Sequence, residues 1–134
     1  MADKKKSVPV KAEKKYIDLL YMTPQKIEAK DIADLFRDNH ELTVELWNEM
    51  NVIELVLNNQ NSVDLEAIDA DFKSPSDAAF VKNREIKTVY AINLCEDDIP
   101  VVAPYFEQLI AKYSGFVCAD SEDFTPVYAG SSKR

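Results

Sequence analysis

Apolar positions along the chain follow two alternating periods. Tyr16–Met22 (Tyr-Ile-Asp-Leu-Leu-Tyr-Met) is short, aromatic and branched, and Thr23-Pro24 ends it, which predicts a strand. Ala29–Asp38 switches to a helical period. Ile32, Leu35 and Phe36 share one face with Ile27 as its extension, and Asn39 tolerates the left-handed conformation that stops a helix. From 42 to 70 the period returns to two. Leu42, Val44 and Leu46 alternate with Thr43, Glu45 and Trp47; Val52–Leu57 follows; Val63, Leu65 and Ala67 alternate with Asp64 and Glu66. Asn48–Asn51 can turn or bulge, and Asn58–Ser62 is a strong turn because asparagine side chains bond their own backbone. Acids alternating with apolar residues imply a sheet with one face in water, hence antiparallel pairing.

The remaining elements are less uniform. In Phe72–Arg84, Ser74 or Ser76 can cap a short helix over Asp77–Lys82, and an ordered loop fits the same residues. Ile86–Leu94 reads as a strand with Ile86, Tyr90, Ile92 and Leu94 on one face. Val89 and Ala91 on the other suggest a central strand covered on both sides. Ile99, Val102, Phe106, Leu109, Ile110 and Tyr113 then form a continuous helical stripe after Glu96-Asp97-Asp98, acids that suit a helix N-terminus. Pro104 predicts either a late start near Ala103 or a kink. Gly115 ends the helix, and Phe116–Cys118 begins a last strand.

The order β-α-β-β-β-(α)-β-α-β predicts an α+β domain. Its expected form is a mixed, mostly antiparallel sheet with two main helices on one face, ferredoxin-like or an elaboration of that fold. The expected organisation is a flexible basic tail over 1–14, one domain over 15–125 and a flexible tail over 126–134.

Charge and composition narrow the function. The 134 residues carry a net −8 and are 46% hydrophobic, enough for a core. Residues 1–15 hold six lysines against two acids, and Lys133 and Arg134 close the chain. Residues 16–132 are left with 22 acids, 8 bases and a net −14. An acidic body repels nucleic acid and anionic membranes and attracts cationic partners. No run reaches the ~20 apolar residues of a membrane span. No apolar signal stretch follows the lysine-rich start, so the chain reads as cytoplasmic, in keeping with Cys95 and Cys118 as isolated thiols. One histidine, His40, and two separated cysteines argue against a Cys/His zinc site. Two glycines, Gly115 and Gly130, leave no Walker A loop and no Gly-x-Gly-x-x-Gly turn. No cofactor is implied.

Two acidic constellations stand out. Glu45, Glu54, Asp64 and Glu66 lie opposite the apolar positions of the meander; aligned in register they form a negative stripe, with Trp47 beside them as a possible anchor for a partner. The second follows from a parallel β-α-β unit over Ile86–Cys118. It sends Glu96, Asp97 and Asp98 and, from the other strand, Asp120, Glu122 and Asp123 to one rim. Glu96, Asp97, Asp98, Asp120 and Asp123 are candidate ligands for Mg²⁺ or Ca²⁺; helix capping, solvated charge and docking of a basic protein suit the same rim. A compact acidic α+β domain with an open sheet face and no catalytic set resembles small bacterial immunity or antitoxin proteins. That resemblance implies charge-complementary neutralisation of a basic toxin. The expectation is a non-enzymatic protein-binding module for a basic partner. The alternatives are a divalent-metal-dependent hydrolase or phosphotransfer enzyme using the rim, and a self-associating homodimeric domain.

Overall fold

A computed structural model describes residues 14–131; the basic segment expected as a tail lies outside them except for Lys14. The elements are β1 (Tyr16–Thr23), α1 (Ala29–Phe36), β2 (Thr43–Trp47), β3 (Val52–Val56), β4 (Ser62–Ile68), α2 (Pro75–Asn83), β5 (Thr88–Cys95), α3 (Ile99–Tyr113), β6 (Phe116–Ala119) and β7 (Val127–Gly130). Single 3-10 turns, Asn48–Met50 and Glu96–Asp98, precede β3 and α3. No helix among the described residues is long and apolar enough to cross a membrane.

The seven strands form one open sheet in the order β2-β3-β4-β5-β1-β6-β7, and every pairing is antiparallel. The expected mixed sheet is therefore corrected to an antiparallel one. The cause is the position of β1. It lies between β5 and β6 and pairs antiparallel with both, so those two strands point the same way without touching. The β5-α3-β6 unit thus straddles β1. The residues expected as a C-terminal tail include β7, which pairs with β6 from Phe116 opposite Gly130.

Strand alternation creates two cores. On the first face, Leu19, Tyr21, Ile53, Leu55, Val63, Leu65, Tyr90, Ile92 and Leu94 pack beneath Ile32, Ala33 and Phe36 of α1 and Val102, Tyr105, Phe106 and Leu109 of α3. On the second face, Leu20, Met22, Val89, Phe116 and Cys118 pack with Val81, Ile86 and Phe124, while Phe72 and Phe80 close the cluster. Phe80 meets Phe116 at 6.0 Å and Phe124 at 4.7 Å between ring centroids. α2 therefore covers β5, β1 and β6, and β1 and β5 are buried on both sides. Ile86 precedes β5 and joins this second cluster rather than the face of Tyr90, Ile92 and Leu94.

α3 begins at Ile99 and runs through Pro104. Pro104 and Pro100 both face solvent, so the carbonyl left without an amide partner can bond water. At the far end Gly115 has φ +92°, and a Cβ there would stand 2.0 Å from the Met22 carbonyl oxygen, so only glycine fits. The Thr23 hydroxyl donates to the Tyr113 carbonyl at 2.5 Å and the Tyr21 hydroxyl to the Ser114 carbonyl at 2.6 Å, which ties this junction to β1.

Candidate functional site: an acidic row on the open sheet face

The second face is covered only in part. Over β2, β3 and β4 the side chains opposite the core are Glu45 and Trp47, then Val52 and Glu54, then Asp64 and Glu66. Their register is direct. Glu45 stands opposite Glu54, and Glu54 opposite Asp64; Trp47 stands opposite Val52, and Val52 opposite Glu66. These alternating positions exist because β2–β4 carry a buried apolar set (Ile53, Leu55, Val63, Leu65) at every second residue.

The row continues farther than the meander. Asp64 faces Asn93 on β5, and Asn93 faces Asp18 on β1. The Asn93 amide donates to the Asp18 carboxylate at 2.9 Å. Asp120, just beyond β6, lies next to Asp18 and donates its backbone N–H to the Asp18 carbonyl at 3.2 Å. Glu45, Glu54, Asp64, Asn93 and Asp18 thus cross five strands and Asp120 extends the line past the end of a sixth, with strand neighbours about 4.8 Å apart along the hydrogen-bonding direction. Among the described residues, no lysine or arginine is ion-paired with any of these carboxylates; the ion pairs lie elsewhere, Lys15–Glu96, Lys30–Glu28 and Arg37–Asp34.

Like charges at this spacing disfavour ionisation. The Asp64 carboxyl is held above the ordinary carboxylate range by burial and then by Glu54, with a Ser62 hydrogen bond acting the other way. Asp120 is raised by burial, then by Asp18 and Asp77. The row is a negative surface that a cation would complement. Beside it lies a shallow groove of about 400 Å³, lined by Trp47, Met50, Val52, Glu54, Asp64 and Glu66. Trp47 is 44% exposed and Met50 68%. Met50 and Asp18 were not among the sequence candidates, and Asp120 was one only as a rim ligand, not as part of this row. Met50 sits in a predicted turn, and joining Asp18 and Asp120 to the row requires the β4-β5-β1-β6 order, which no periodicity reports.

The rim carboxylates have a different fate. After β5 the chain turns onto the α1/α3 face; after β6 it folds toward α2. Asp98 is buried, and its two oxygens accept the side-chain amides of Asn59 at 2.9 Å and Asn61 at 2.8 Å. It clamps the β3–β4 turn to the start of α3. Glu96 pairs with Lys15 at 3.7 Å, and Asp97 is exposed. Asp123 accepts hydrogen bonds from Thr125 and Ser121 within its own loop, and these lower its pKa below the ordinary value. Among the described residues no three His, Cys, Asp or Glu side chains lie close enough together to hold a metal ion. The structure therefore does not bring Glu96, Asp97, Asp98, Asp120 and Asp123 into one ligand set.

His40 is exposed at the end of the α1–β2 connection. Cys95 and Cys118 are free and buried, and burial followed by Asp120 pushes the Cys118 thiol up to about 12, far from a reactive thiolate. No protein-family model, curated protein or solved structure matches the chain.

Proposed function

We propose that this chain is a non-enzymatic protein-binding module whose open β2–β4 face docks a basic partner. One observation carries the reading: Glu45, Glu54 and Asp64 stand directly opposite one another with no ion-paired lysine or arginine among the described residues, beside the exposed Trp47 and Met50. Charge of this kind speeds association and selects cationic partners, while a desolvated aromatic anchor supplies affinity. An immunity- or antitoxin-like role, with a basic toxin as partner, is the specific form of this proposal. The fold assignment that accompanies it is an elaborated ferredoxin-like sandwich, supported by the β5-α3-β6 unit straddling β1. A cytoplasmic site of action accords with two buried, unpaired thiols.

The test is capture from lysate at low salt on the immobilised chain and on a Trp47→Ala, Glu54→Lys, Asp64→Lys variant. The expected result is a basic protein retained by the first, lost by the variant and released by salt. Identical captured sets on both would sink the reading.

A further inference from the structure

We propose that the basic partner binds by adding an extended strand to the outer edge of β2, where no described strand pairs, placing a lysine or arginine opposite Glu45. The inference rests on the acidic-face reading and names the form of its partner. It starts from the two edges of the sheet.

β7 is a guarded edge: it has four residues, follows Pro126, meets β6 through a register irregularity at Val117/Cys118 and carries Gly130 in a left-handed conformation. β2 has none of these devices. Thr43–Trp47 contains no proline, lysine or glycine and pairs with β3 in uninterrupted register. Among the described residues, the hydrogen bonds of β2 run to β3 alone. Alternate residues of β2 therefore turn N–H and C=O groups outward, a ready template for another strand.

Charge decides which strand fits. A second copy of this chain, paired antiparallel about Glu45, sets Glu45 against its own copy and joins two acidic rows end to end. Like charges opposite one another destabilise such a pair. A strand with a cation at that position reverses the sign, because the cation completes the row Glu45–Glu54–Asp64. Residues two places along on the added strand then fall opposite Thr43 and Trp47. An apolar residue at the Trp47 position gains cover from the indole, which is exposed. The favoured occupant is an extended segment with a basic residue and an apolar residue two apart.

The probe is a synthetic peptide of the repeat Thr-Lys-Thr-Val, which sets lysine and valine two apart on one face, with two further versions N-methylated on every threonine or on every lysine and valine. Hydrogen exchange and Trp47 fluorescence are followed at low salt. The expected result is slowed exchange at alternate residues of Thr43–Trp47 and loss of binding in one methylated phase only. Glu45→Lys, checked for a native far-UV spectrum, should bind the parent peptide about fivefold more weakly. Equal binding of all three peptides, with no protection in β2, overturns strand addition and leaves the acidic face as the docking surface. No binding by any of the peptides overturns both.

Discussion

The second face of the sheet has two halves built by the same alternation, and they end in opposite conditions. Over β5, β1 and β6 the outward positions apart from Asn93 and Asp18 are Val89, Leu20, Met22, Phe116 and Cys118, and α2 with Phe124 covers them. Over β2, β3 and β4 they are Glu45, Glu54, Asp64 and Glu66, and no described helix covers them. The first half is core and holds the molecule together. The second leaves carboxylates crowded and apolar groups exposed, conditions that folding does not require. The contrast teaches where to look for function: the half that stability does not explain.

The comparison can be broken most severely in the covered half. Phe116→Ala removes a ring that is 3% exposed and packs edge-on against Phe80, with an expected cost of about 3–5 kcal/mol in denaturant unfolding. Next comes the clamp between the meander and α3. Asp98→Ala leaves the Asn59 and Asn61 amides without their acceptor, at about 2–3 kcal/mol in the same assay. In the open half the same kind of truncation should do little to stability. Trp47→Ala is expected to cost under about 1 kcal/mol while weakening partner binding; a loss as large as that of Phe116→Ala would erase the distinction between the halves.

The smallest effect has the opposite sign. Asp64 has a folded-state pKa above its ordinary 3.8, so the folded chain binds more protons than the unfolded chain between those two values. Stability therefore rises as pH falls through that window. Asp64→Asn should raise stability by about 0.5 kcal/mol near neutral pH, and thermal melts should show the gain shrinking as pH falls toward 3.8.

Much of this was legible beforehand, for local reasons. The helix over Ala29–Phe36 and the strand alternation of Thr43–Ile68 are written in neighbouring residues, and Glu45, Trp47, Glu54, Asp64 and Glu66 were identified by parity alone. The α2 segment left helix and loop equally open because its apolar residues make only a weak stripe, and contacts of Phe80 and Val81 with the sheet settle it. β7 was read as tail because four residues after a proline carry too short a pattern. The rim carboxylates lie apart for a nonlocal reason: their placement depends on the face of the sheet to which each strand exit turns.

From the sequence alone came the periods, the acidic body and the face each residue occupies on its own strand, since side-chain direction depends only on local backbone geometry. Only the tertiary structure decided which strands are neighbours. That choice put Asp18, Asn93 and Asp120 in line with Glu45, Glu54 and Asp64, buried Asp98 against two asparagines, and left β2 at the edge of the described sheet. Strand order depends on which loops close and which faces bury together, and those are energies of residues far apart in the chain.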